Sequence, residues 1–143
     1  MSATVDANVL AYASNEADPV HARAPSLVER LAGGPDLVYL FWPVLMGYLR
    51  IVTHPAILPR PMPSSDAIAN VTALLGRRHV RTPAEVDGFW DIFRSGSIEW
   101  LRGNAFPDGH LVSLMRQNGV TTIYTRDRDF RRFDGIRVQD PFS

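Results

Sequence analysis

VTTIYTRDRDF, Val120 to Phe130, passes from an apolar run straight into charge. Its first half, Val120 to Tyr124, is rich in β-branched side chains and follows Asn118-Gly119, as a buried strand would. Its second half sets Asp127 and Asp129 two residues apart, flanked by Arg126 and Arg128, and returns at once to apolar Phe130. Carboxylates at the mouth of a buried strand are partly desolvated, which is unfavourable unless something compensates them. Two compensations are open at this point: neutralisation by the adjacent arginines, or a shared metal ion.

Working outward, the chain alternates strand-like and helix-like segments. Ala3 to Val5 is a short apolar run ending at Asp6, with a helix expected after it. Asp18-Pro19 offers a cap and a first-turn proline for a second helix that stops at Gly33-Gly34. Leu37 to Phe41 is a second strand. The apolar stripe Phe41, Val44, Leu45, Tyr48, Leu49, Val52 has helical spacing and ends at His54-Pro55. Ser64 or Ser65 is expected to cap the next helix, with Ile68, Val71, Leu74 and Leu75 on its buried stripe. His79 to Arg81 is a candidate strand. Thr82-Pro83-Ala84-Glu85 reads as the start of a helix carrying Val86, Phe89, Trp90 and Phe93. A further helix follows Asn104 to Pro107 and carries Leu111, Val112, Leu114 and Met115. Ile136 to Val138 is a last short strand. Such alternation implies an α/β fold with a mostly parallel sheet. In those sheets, sites lie beyond the carboxyl ends of the strands.

The bulk properties exclude more than they assign. A chain of 143 residues, 45% apolar and 21% charged, reads as one globular domain spanning 1–143. With no cysteine, thiol catalysis, disulfides and thiolate metal sites are excluded. No apolar run approaches the ~18 residues of a membrane span, and the N-terminus lacks a signal-peptide pattern, so a cytoplasmic protein is expected. Net charge is zero, yet all 15 basic residues are arginine. Codon composition accounts for that, and so does phosphate recognition by a planar guanidinium.

Under the strand-end rule, Asp6, Asp108 and Asp127 converge on one cleft, with Asp129 close behind. Each alone has a plain structural reading. Asp6 can cap a helix, Asp108 can complement a helix dipole, and Asp127 and Asp129 can pair with Arg126, Arg128, Arg131 and Arg132. Together they demand a cation, because two carboxylates ~4 Å apart repel by roughly 4 kcal/mol at an effective dielectric of about 20. Hard oxygen donors without a histidine cluster suit Mg²⁺ or Mn²⁺, which would leave coordination positions for a phosphate.

VDANVLAYA (Val5 to Ala13), LRIVTHPAI (Leu49 to Ile57), FPDGHLVSLM (Phe106 to Met115), TRDRDFRRF (Thr125 to Phe133) and GIRVQDPF (Gly135 to Phe142) occur in an order that resembles the PIN-domain ribonucleases, in particular the VapC-type toxins of bacterial toxin–antitoxin pairs. The resemblance spans essentially the whole chain. It implies a PIN fold, with a central parallel sheet flanked by helices on both faces, and Mg²⁺- or Mn²⁺-dependent cleavage of RNA, often tRNA or rRNA. It also implies a VapB-like antitoxin and a homodimer. Carried over by motif, Asp6, Asp108 and Asp127 are the metal ligands and Asp129 a further catalytic acid. Asn8, Thr125, Arg126 and Arg128 are candidate orienting or substrate-contacting residues. One departure stands out: the family usually has a Glu on the helix matching Phe41–Thr53, and WPVLMGYLR (Trp42 to Arg50) has Gly47 there.

Two rivals belong to other classes. A non-catalytic module would bind RNA or an antitoxin after losing its activity, with Gly47 as the scar. A phosphatase built on Asp6 would want an acid where Asn8 stands. His110 beside Asp108 is a weaker candidate base. Trp42, Trp90 and Trp100 sit in apolar patterns that suit core or interface packing, and Phe89, Trp90 and Phe93 form a candidate dimer or antitoxin contact.

Overall fold

The structure is a computed structural model that describes residues 2–12 and 23–141. In chain order its elements are β1 (Ala3–Val5), α1 (Ala7–Tyr12), α2 (Arg23–Ala32), β2 (Val38–Tyr39), α3 (Trp42–Thr53), α4 (Ser64–Leu75), β3 (Val80–Arg81), α5 (Phe89–Ser95), α6 (Ala105–Gln117), β4 (Thr122–Tyr124), a 3-10 helix (Arg128–Arg132) and β5 (Arg137–Gln139). The expected cap at Asp18-Pro19 lies outside the described residues.

The strands form one five-stranded sheet in the order β3-β2-β1-β4-β5, with every pairing parallel. From β1 the chain moves outward through β2 to β3, then crosses back to place β4 on the other side of β1. Right-handed crossovers therefore put the α1–α4 helices on one face and α5 and α6 on the other. Val5, Val38, Leu40 and Val80 line the first face beneath Leu10 of α1, Val28 and Leu31 of α2, and Leu74 of α4. The reversal falls between β1 and β4, so the carboxyl ends of those two strands open a crevice.

α3 has the stripe expected of it: Val44, Leu45, Tyr48 and Val52 are buried and His54 ends the helix. Gly47 faces α1, and a Cβ built there would lie 3.0 Å from the Cβ of Ala7. The glycine in mid-helix is thus explained by the close approach of α1 and α3. Gly47→Ala should lower stability by about 1 kcal/mol, since the overpacking cost exceeds the gain in helix propensity. Pairing it with Ala7→Gly should give a double variant less destabilised than the sum of the two single changes, as read from urea midpoints. Additive losses in the double variant would refute the contact.

Several local expectations are corrected. No helix starts at Thr82-Pro83. Residues 82–88 run as a loop held on α6, where Gln117 accepts the amide of Val86 at 3.1 Å and donates to the carbonyl of Ala84 at 3.0 Å. Gly88, at φ 85, then turns the chain into α5. Pro63, not a serine, precedes α4, and no side chain caps it. On α4 Ala67 and Val71 face inward, whereas Ile68 and Leu75 are exposed, because α4 packs at the sheet edge and covers only a narrow stripe. No helix among the described residues is long and apolar enough to cross a membrane.

Candidate active site

The crevice at β1 and β4 is built on a relay of hydrogen bonds. Asp6 follows β1, and its amide donates to the carbonyl of Tyr124 at 3.2 Å, continuing the ladder. Oδ1 of Asp6 accepts the amide of Val9 at 3.0 Å and so caps α1. Oδ2 accepts the hydroxyl of Thr125. Thr125 directly follows β4 and is only 1% exposed. Its own Oγ1 accepts the amide of Asp127 at 2.9 Å. Oδ1 of Asp127 accepts the amide of Asp129 at 2.9 Å and opens the 3-10 helix. One buried hydroxyl therefore ties the end of β1 to the acidic turn after β4.

Asp108 approaches from the other side as the fourth residue of α6, half-buried. Its carboxyl is pushed up from the usual 3.8 to about 6, first by burial and then by the charges of Asp127, Asp129 and Asp6. Asp6 is raised as well. Burial is the largest cause, opposed by the hydrogen bonds from Thr125 and from the amides of Val9 and Asn8, and Asp127 raises it further. Four aspartates thus act on one another electrostatically.

Among the described residues, no three acidic or imidazole side chains are grouped closely enough to hold a metal ion as they stand. The donor chemistry nevertheless fits a hard divalent cation: every group is a carboxylate, and the burial and mutual repulsion that raise Asp108 are both offset by a cation.

The remaining sequence candidates fall into place unevenly. The side chain of Asn8 is exposed; its contribution to Asp6 is the backbone amide. Arg126 and Arg128 are exposed beside the acids, with the Arg126 guanidinium 5.8 Å from the centre of the Tyr12 ring. Among the described residues no ion pair joins Arg126, Arg128, Arg131 or Arg132 to Asp127, Asp129 or Asp134. Of the two compensations open in the sequence, neutralisation within the turn is not the one seen: Asp127 uses its carboxylate to hold the Asp129 amide, and Arg132 stacks 4.0 Å above Trp100. His110 is bound to Glu85 at 2.6 Å. The sequence signal of Thr125 is a β-hydroxyl on the residue just beyond a strand, beside the neighbouring strand that leads into Asp6.

The raised carboxyl of Asp108 has a thermodynamic consequence. Between pH 3.8 and about 6 the folded cation-free protein holds more proton on Asp108 than the unfolded chain does, so this group's contribution to stability falls as pH rises through that window. Asp6 acts in the same direction. Asp108→Asn is therefore expected to stabilise the cation-free protein at pH 7.5 by about 1 kcal/mol, after discounting for the solvent-exposed half of the group. The difference should vanish below pH 4. A loss of stability at pH 7.5 in thermal melts would show that Asp108 is not held against repulsion.

No protein-family model matches the chain. Ribonuclease VapC48 of Mycobacterium tuberculosis is 50% identical over 144 aligned positions, which cover 100% of this chain and 99% of that protein. The crystal structure of M. tuberculosis VapC20, described as a sarcin–ricin loop cleaving toxin, superposes with a TM-score of 0.65 at 22% identity, covering 94% of this chain and 98% of that one. VapBC2 of Rickettsia felis, solved with a DNA fragment from its promoter, gives 0.68 at 16% identity over 97% and 98%. At those identities the two structures speak to the fold.

Proposed function

The chain belongs to the VapC family of PIN-domain ribonucleases, and on that premise we propose that it cleaves cellular RNA with Mg²⁺ or Mn²⁺ held by Asp6, Asp108 and Asp127. The observation that carries the reading is the relay Asp6–Thr125–Asp127, which binds two acids of the crevice to one hydroxyl while Asp108 faces them across it. A bound cation would supply Lewis acidity toward a phosphoryl oxygen and a water of lowered pKa.

The chain's own groups set the rest. Thr125 and the Val9 amide each hold one oxygen of Asp6 and so fix its carboxylate plane. The α6 N-terminus presents Asp108 toward the other acids. Asp129, exposed at the start of the 3-10 helix and acting on the charge of Asp108, would take a proton from attacking water or steady a metal-bound water. Arg126 and Arg128, exposed beside the acids, are suited to backbone phosphates, which position RNA without reading its sequence. The substrate we favour is a structured tRNA or rRNA, and the compartment the cytoplasm. A VapB-like antitoxin is the natural inhibitor; the R. felis relative assembles as VapBC2. Gly47 does not favour the non-catalytic alternative, because its missing side chain answers to Ala7.

The decisive experiment incubates antitoxin-free protein with total cellular RNA, with and without Mg²⁺ or Mn²⁺. Discrete fragments that disappear with EDTA and return with metal are expected. Fragments that persist in EDTA would overturn the metal assignment. Intact RNA at every metal concentration, from a protein with a cooperative melt, would favour the non-catalytic binding module.

A further inference from the structure

Two arginines at the ends of the acidic turn are each set over an aromatic ring. Arg126, just before Asp127, lies 5.8 Å from the centre of the Tyr12 ring. Arg132, at the far end of the 3-10 helix, lies 4.0 Å above Trp100. Arg132 is exposed, and among the described residues its guanidinium makes no hydrogen bond or ion pair. Neighbouring arginines behave otherwise. Arg102 gives Nη1 to the carbonyls of Glu99 and Leu101, both at 3.0 Å, and Arg116 gives Nη2 to the carbonyl of Asp134 at 2.8 Å. The ring under Arg132 is itself held: Trp100 meets buried Phe133 edge-on at 4.9 Å. The indole therefore fixes the plane of a guanidinium whose donors have no protein partner.

Position gives this pair a use. Arg132 ends the helix that Asp127 caps, so at ~2.0 Å per residue it stands roughly 10 Å from Asp127. Trp100 precedes α6, which carries Asp108. The stack thus joins the two arms of the chain that bring the acids together. Tyr12 belongs to α1, on the opposite face of the sheet from α6. A strand crossing the crevice from one face to the other would meet Arg126, the acids and Arg132 in turn.

We infer that Arg132, held flat by Trp100, binds a backbone phosphate of single-stranded RNA next to the scissile one. A planar guanidinium offers paired N–H donors to phosphate oxygens. One already stacked on a ring loses little further freedom on binding. Trp100 is a positioning residue that acts through Arg132. The inference rests on the RNA-cleavage reading and adds the path of the strand.

The test is the anisotropy of fluorescent poly(U) titrated with the full chain in EDTA, over a range of salt. Each phosphate neutralised on a single strand contributes about 0.7 to the slope of log K against log salt. Arg132→Gln should lower that slope by about 0.7 and weaken binding roughly tenfold at low salt, with circular dichroism unchanged. Arg132→Lys should restore the slope but only part of the affinity, since an ammonium has no planar fork. Trp100→Leu should weaken binding while keeping the slope, and Trp100→Phe should recover it. Arg30→Gln removes the same charge from the last turn of α2, beside the starts of β1 and β4, and should leave the slope unchanged. A slope untouched by Arg132→Gln, one lowered equally by Arg30→Gln, or a wild type without affinity for poly(U) would each overturn the inference. A Trp100→Leu protein of wild-type affinity would overturn the part given to Trp100. Wild type that binds with the expected slopes yet leaves RNA intact in Mg²⁺ or Mn²⁺ would sink the cleavage reading and leave the strand path standing.

Discussion

Asp6→Asn is expected to slow RNA cleavage by at least about a thousandfold, equivalent to roughly 4 kcal/mol of transition-state stabilisation, while the protein melts no lower than wild type. The two halves of that expectation come from the same geometry. Asp6 has one oxygen on the Val9 amide and the other on the Thr125 hydroxyl. Asparagine keeps the oxygen that caps α1 but presents an amide where Thr125 donates, and it removes the negative charge a cation would need. Burial already penalises that charge, so its removal relieves the fold. Paired measurements of cleavage and thermal melting separate the outcomes. Retained activity would dismiss Asp6 as a ligand, and lost activity with a collapsed melt would make it a structural cap only.

Thr125→Val is the second large effect. The isosteric change deletes one hydroxyl and leaves the Asp127 amide without its acceptor and Asp6 without its donor. With the buried Asp6 carboxylate missing a donor and the part-buried Asp127 amide missing its acceptor, about 2 kcal/mol of stability should be lost in urea titration. Cleavage should fall by roughly 10- to 100-fold, the usual consequence of loosening a group that orients a ligand. Thr125→Ser, which keeps the hydroxyl, should recover most of both. A valine variant that matches wild type in cleavage would show that Asp6 and Asp127 orient independently of one another.

The strand-then-acid pattern at Val5-Asp6 and Tyr124-Thr125-Arg126-Asp127 is local, and local patterns survive into the fold. Buried strands need contiguous apolar residues, and a charge beyond them marks the strand end. The same logic placed Asp108 at the start of α6. What failed was the helix start: residues 82–88 form a loop, and the helix that carries Phe89, Trp90 and Phe93 begins only at Phe89. A capping signal at Thr82-Pro83 is a valid helix start only if nothing competes for the backbone, and here Gln117 and His110, distant in sequence, take the loop's polar groups instead. In the arginine-rich turn, the ion-pairing alternative fell for a related reason. Charge proximity along the chain did not become ion pairing, since Asp127 spends its carboxylate on its own backbone and Arg132 stacks on Trp100.

Residue order and periodicity were enough to specify a parallel α/β sheet with acids at its carboxyl edge, because burial and strand termination are written in nearest-neighbour chemistry. Which acids share a hydroxyl, and why glycine suits position 47, were decided only when β4 came to lie beside β1 and α3 against α1. Those are contacts between residues as far as 119 positions apart, and no local rule constrains a distance that only the packed sheet creates.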